Sequence, residues 1–137
     1  MDDRRDVAFI LDLIQAAEKI VAFTSDVSKT AFTAESKSIS AVSFQVAILG
    51  EAVKRLSENL QHSHSEIPWR KIAGMRDRLI HGYNDIDVEE RWNTAVRDVP
   101  VLLGQLRRIQ RELAIYLLAF LRASASAGTI ANRSPTI

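Results

Sequence analysis

The spacing of apolar residues limits this chain more than any other feature of its sequence. Ile39, Val42, Val46, Leu49, Val53, Leu56 and Leu60 fall in alternating steps of three and four. That rhythm winds one apolar stripe down a long α-helix. Leu102, Leu106, Ile109, Leu113, Tyr116 and Phe120 repeat it near the C-terminus. The first segment shows it through Val7, Leu11, Ile14, Glu18 and Val21, with Ile10 and Ala17 widening the face. No segment has a period of two, and paired-glycine hairpin turns are missing, so the chain reads as all-α.

Four helices account for the pattern. The first is expected from Asp3 to Thr24 and the second from Ser36 to Leu60. The third starts near Pro68, suited to a first helical position, and ends at Gly82, suited to the left-handed residue past a C-terminus. Gly74 is a candidate kink or split within it. The fourth opens at Asp87, with Glu90 three residues on in an Asp version of the capping box, and runs toward Arg122. Pro100 should bend or break it. An up-and-down four-helix bundle, with room for a fifth short helix, buries these stripes, and helices of this length can also pair across a two-fold axis into a homodimer.

Composition agrees with one globular domain. Of 137 residues 47% are apolar and 26% charged, enough to bury a core without staples. Residues 1–122 are expected to form the domain, and the small, polar, aperiodic residues 123–137 a flexible tail. With no cysteine, thiolate metal sites and cysteine nucleophiles are excluded, and the net charge of +1 leaves any electrostatic footprint local. The charged start Met1-Asp2-Asp3-Arg4-Arg5-Asp6 is unlike a secretory signal. The longest apolar run, Leu113 to Leu121, is about half a membrane span. The expectation is a cytoplasmic protein without a membrane segment.

The densest polar cluster is Met75-Arg76-Asp77-Arg78-Leu79-Ile80-His81-Gly82-Tyr83-Asn84-Asp85. At 3.6 residues per turn Asp77 and His81 share a face within about 40°, so the carboxylate can orient the imidazole or raise its pKa. An ordinary ion pair of Asp77 with Arg78 or another neighbour fits equally. Arg76 and His81 lie about 140° apart on an ideal helix, so one copy aims them poorly at one small target. A cleft where two copies of the motif meet would bring both types together. Arginine clamps phosphate and stabilises developing negative charge, and histidine transfers protons near neutrality. Together they permit metal-free RNA cleavage, in which the 2′-hydroxyl is the nucleophile. The residues alone leave this open beside a plain reading, a solvated helix end whose histidine complements the dipole.

Arg76-Asp77-Arg78-Leu79-Ile80-His81-Gly82-Tyr83 resembles the Arg-x4-His-x-Tyr signature of the HepT-like branch of the HEPN superfamily. These are the ribonuclease toxins of MNT–HEPN (type VII-like) toxin–antitoxin pairs. Ile48-Leu49-Gly50-Glu51-Ala52 is similar to the family's second-helix segment, and Ile67 to Met75 to the stretch before its active site. Asp85-Ile86-Asp87, Trp92 and Asp98-Val99-Pro100 are similar to the family's segment after that site. The likeness covers roughly residues 3 to 115. It implies a helical homodimer with a composite cleft and a metal-independent endoribonuclease that leaves a cyclic phosphate and needs no cofactor. It also implies a nucleotidyltransferase antitoxin that transfers AMP to the motif tyrosine. Carried over, Arg76 and His81 would be catalytic, Asp77 and Arg78 supporting, and Tyr83 the AMPylated residue. The chain departs from the pattern at Phe44, Gln45 and Ala47, where relatives often carry charge, and at Asn84, where an aromatic is common. Catalytically silent HEPN modules that bind RNA or nucleotide beside a nucleotidyltransferase form the alternative.

Other polar residues read more plainly. His62 and His64 sit two apart without further ligands nearby, so no metal is expected. Trp69 and Trp92 suit the core better than a base-stacking platform. Arg107, Arg108 and Arg111, with Arg70 and Lys71, could contact phosphate but equally fit a solvated face. Glu51, on the flank of the longest stripe, suits an ion pair.

Overall fold

A computed structural model describes residues 3–82 and 84–131, and the described residues hold helices and no strand. The helices are α1 (Asp3–Thr24), α2 (Lys29–Ala34), α3 (Ser36–Arg55), α4 (Glu58–Ser63), α5 (Trp69–His81), α6 (Val88–Asn93) and α7 (Val99–Ala131). A π-helical turn, Thr94–Asp98, joins the last two. The long helices α1, α3, α5 and α7 form the all-α bundle. In it α1 packs against both α3 and α7, and α3 packs in turn against α5.

The α3 stripe lies where its rhythm places it. Val42, Val46, Leu49 and Val53 are buried, and Leu56 and Leu60 continue the buried line. The backbone beneath that line is nevertheless broken, so the expected single helix from Ser36 to Leu60 is two. Leu56 is extended and Ser57 restarts the chain as the cap of α4, its Oγ accepting from Leu60 N at 3.2 Å. The break is held from α1: the buried carboxylate of Asp6 accepts from Ser57 N at 2.9 Å and Ser57 Oγ at 2.6 Å.

In α1 the buried face is Ile10, Leu13, Ile14, Ala17 and Ile20, rotated from the expected stripe, and Leu11 is 42% exposed. Contact with α3 on one side and α7 on the other selects this broader face. Helix α2, which no sequence period announces, is capped by Ser28, whose Oγ accepts from Ala31 N at 3.0 Å. Its Phe32 is fully buried, with its ring centroid 5.2 Å from that of Trp92 on α6.

Three local expectations are resolved. Gly74 does not split α5, which is one helix from Trp69 to His81. Gly82 ends α5 with φ −132°, outside the left-handed region, and its N–H donates to Arg78 O at 2.9 Å. The expected helix from Asp87 is interrupted near Pro100, as α6, a π turn and α7, but its helical backbone is not ended there. The wide π turn just before the proline absorbs the missing N–H and the crowding of the ring against the preceding turn, and α7 then runs on. Asp87 caps α6 as its spacing indicates, accepting from Glu90 N at 3.1 Å.

Helix α7 continues to Ala131, past the end expected at Arg122. Residues 123–127 are Ala and Ser with neither proline nor glycine, a composition a preceding helix extends through easily. The buried part of the α7 stripe is Leu102, Leu106 and Ile109; Tyr116 and Phe120, expected inward, are exposed. No described helix is long and apolar enough to cross a membrane.

Candidate active site

The site begins with a glycine. A Cβ on Gly50 of α3 would fall well inside contact distance of Arg76 Cβ and 3.1 Å from Ile72 O, so only glycine lets α3 and α5 approach this closely. The approach brings the last turns of α3, with Glu51, Lys54 and Arg55, beside Arg76 and Asp77 of α5.

There the Arg76 guanidinium lies between two carboxylates. Its Nε is 3.2 Å from Glu51 Oε2, and its Nη1 donates to Asp77 Oδ1 at 3.3 Å. Glu51 also receives Arg55 Nε at 3.4 Å, and Asp77 receives the Lys54 ammonium. Three cations and two carboxylates leave the cluster one positive charge in excess. A hydrogen bond from Lys54, helped by its charge and by Arg76, holds the Asp77 carboxyl below its usual 3.8 against a smaller desolvation. About a third of the Arg76 side chain remains exposed, so the guanidinium is oriented without being closed off.

His81 is the last residue of α5 and is exposed. Among the described contacts it makes no side-chain hydrogen bond or ion pair. Asp77, placed by helical spacing to orient it, engages Lys54 and Arg76 instead. Arg78 turns away from Arg76 toward α6, with its Nη2 3.6 Å from Glu90 Oε1. Arg78 also faces Arg91, whose guanidinium is lowered by burial against the opposing charge of Glu90 and whose Nε has no hydrogen-bond partner. Tyr83, the expected modification site, lies outside the described residues.

One member of the cluster has no distinctive place in the sequence. Lys54 lies more than twenty residues before Arg76 and meets Asp77 only through the α3–α5 packing. The available signal was the charged pair Lys54-Arg55 one turn after Gly50-Glu51, at the end of an otherwise apolar helix. Glu51 forms the ion pairs its position suggested. Trp69 is buried with its Nε1 donating to His64 O at 2.9 Å, and Trp92 packs on Phe32. His64 lies 3.6 Å from both Glu66 and Glu112, and no group of three candidate metal ligands occurs among the described residues. Arg107 pairs with Glu18 at 3.4 Å, whereas Arg108 and Arg111 are exposed.

Chemically, the arrangement offers an oriented guanidinium for a phosphate oxygen, a second cation beside it, and an uncommitted imidazole five residues on. Arg76 and His81 leave the same short helix in different directions, so the face they flank is open rather than a closed pocket.

Comparison with known proteins adds a sequence relationship. The family described as "Ribonuclease HepT-like" matches residues 13–109. A Thermococcus cleftensis protein named "Probable ribonuclease HepT" is 36% identical over 103 residues, covering 75% of this chain and 94% of the relative. A Methanocaldococcus jannaschii protein named a "Putative RNase" is 32% identical over 111 residues, 80% of this chain and 92% of the relative. One from Caldanaerobacter subterraneus, similarly named, is 32% identical over 101 residues, 74% of this chain and 90% of the relative. No solved structure matches the chain.

Proposed function

The chain belongs to the ribonuclease HepT-like family, and on that premise we propose that Arg76 and His81 make it a metal-independent endoribonuclease acting as the toxin of an MNT–HEPN pair. The observation that carries this reading is the held guanidinium of Arg76, gripped by Glu51 and Asp77 at the crossing of α3 and α5 while His81 stays free. Family membership supports RNA as the substrate class.

In this mechanism the RNA phosphate approaches Arg76. His81 accepts the proton of the adjacent 2′-hydroxyl, the 2′-oxygen bonds to phosphorus, and the bond to the 5′-oxygen breaks. Arg76 stabilises the charge that develops on the phosphoryl oxygens, with Lys54 adding to the local positive potential. The departing 5′-oxygen needs a proton, which a second motif supplies when two copies face each other across a homodimer cleft. The products are a 2′,3′-cyclic phosphate and a 5′-hydroxyl. Asp77 acts by holding Arg76 and Lys54 rather than by touching His81.

Control stems from the position of Tyr83, two residues beyond His81. A nucleotidyltransferase antitoxin that places AMP on its hydroxyl adds negative charge and bulk where the RNA phosphate must sit.

Two experiments test the reading. An RNA with a single 2′-deoxy substitution at its cleavage site should resist cutting there, and the normal product should carry a cyclic phosphate; cleavage at the deoxy position would overturn the 2′-hydroxyl mechanism. Incubation with the cognate nucleotidyltransferase and ATP should add one AMP by intact mass, absent in Tyr83→Phe. An equal adduct on that variant would move the modification elsewhere. A dimeric, unmodified protein with no cleavage would favour a silent HEPN module.

A further inference from the structure

Beyond residue 109, where the segment shared with the family stops, α7 carries an exposed surface that the site does not use. Residues 113–121 are apolar on every side of the helix. Five of their side chains, Ile115, Tyr116, Leu118, Phe120 and Leu121, are more than half exposed, with Ile115 at 71%. A helix apolar all round belongs inside something.

On the face turned from the core, Arg108, Glu112, Ile115, Ala119, Arg122 and Ser126 succeed one another in steps of four and three, and every one of them is exposed. This ladder is complementary to itself when reversed. Run antiparallel against a second copy and centred on position 117, it sets Glu112 against Arg122 and Ile115 against Ala119. Each pair occurs twice by symmetry. The large–small match lets the helices approach closely, and the opposite charges close both ends. Tyr116 and Leu118 flank the seam and meet each other across it.

We propose that this face of α7 is a homotypic interface, in which the segments 108–126 of two copies pack antiparallel across a two-fold axis near residue 117. Three further observations fit a second copy as the occupant. Within the chain the only described partner of Glu112 is His64 at 3.6 Å, so a carboxylate that is still 56% exposed is free to meet a cation. Arg122 has no described partner. Ile115 on the seam and Tyr116 and Leu118 beside it, with Glu112, Ala119 and Arg122 along it, present roughly 500 Å² per copy. Two copies thus bury at most on the order of 1,000 Å², the lower bound for a specific interface, while Phe120 and Leu121 point away from it. The contact is isologous, so taken alone it joins two copies and no more. This face is separate from the Arg76 cluster, so a copy pairing here leaves that cluster free to meet another.

The test is a charge-exchange series on the full chain, with size measured by analytical ultracentrifugation. Glu112→Arg sets arginine against arginine and Arg122→Glu sets glutamate against glutamate. Each should halve the mass of the assembled species at tens of micromolar, and the double exchange should restore it. The double variant Ile115→Cys/Ala119→Cys, in a protein with no other cysteine, should give a disulfide-linked pair on a non-reducing gel. Unchanged helicity by circular dichroism shows that each variant folds. A wild-type mass unaffected by either single exchange, or single exchanges that the double does not rescue, would overturn the interface. Loss of RNA binding in Arg122→Glu without a change in mass would assign the face to RNA instead.

Discussion

Replacing Gly50 with alanine should harm this protein although alanine is the better helix former. In the interior of α3 the exchange alone would stabilise by about 1 kcal/mol, because glycine loses more backbone entropy on folding. Opposing that, the new methyl would fall deep inside the contact distance of Arg76 Cβ and lie 3.1 Å from Ile72 O and 3.3 Å from Arg76 N. Carbon atoms rest at about 3.5–4.0 Å, so α5 must withdraw by roughly 1 Å or more. Neither opposing group can swing aside, since one is a Cβ and the others are backbone. Overpacking of this kind costs about 1–3 kcal/mol, which outweighs the gain. Gly74→Ala is the control: nothing lies within 4 Å of its added Cβ, so it should show the gain of about 1 kcal/mol undiluted. Urea denaturation should therefore move the two midpoints in opposite directions. RNA cleavage by Gly50→Ala should fall by roughly a hundredfold, because an ångström's displacement separates Arg76 from Glu51. If Gly50→Ala stabilised as much as Gly74→Ala, the close crossing would not exist and the account of how Arg76 is held would go with it.

Other changes probe other joints. Ser57→Ala removes both the cap of α4 and a hydrogen bond to the buried Asp6, and urea denaturation should show a loss of about 1–3 kcal/mol; no loss would mean the α1–α4 tie is idle. Glu51→Gln keeps the side chain's shape but removes its charge, so single-turnover cleavage should slow roughly tenfold without weaker RNA binding. An unchanged rate would remove Glu51 from the orienting role. The Asp77 carboxyl is depressed in the folded protein, so its contribution to stability is present above its unfolded value of 3.8 and is lost as pH falls through the lower folded value. Asp77→Asn should thus lower the urea midpoint at neutral pH, by an amount that shrinks in strong acid. A difference independent of pH would show that the ion pairs with Lys54 and Arg76 are not its source.

Much of this architecture is legible in the sequence, and the exceptions share physical causes. The α3 stripe is readable because α1 and α5 bury it along its length. Because Leu56 and Leu60 keep its rhythm, it hides the break at Ser57, which only the contact with Asp6 reveals. In α1, neighbours on two sides widen the buried face, and a one-stripe reading points Val7 and Leu11 inward. Helix α2 is six residues long with one buried side chain, too short for any period to show. Pro100 announces trouble in the last helix but cannot say that a π turn will resolve it. The stripe through Tyr116 and Phe120 continues past the part that packs, since periodicity reports which face is apolar and not what covers it. At the site, Arg76 and His81 can be picked out because they lie on one helix within a distinctive string. Lys54 cannot, because its place beside Asp77 exists only once Gly50 has let two helices touch.

The most direct measurement is RNA cleavage by the purified protein in excess EDTA, with Arg76→Ala and His81→Ala prepared identically. Wild type should cleave and both variants should be at least a hundredfold slower while keeping the wild-type helicity and mass. Cleavage by wild type and His81→Ala at equal rates would contradict the assignment of the reaction to this motif.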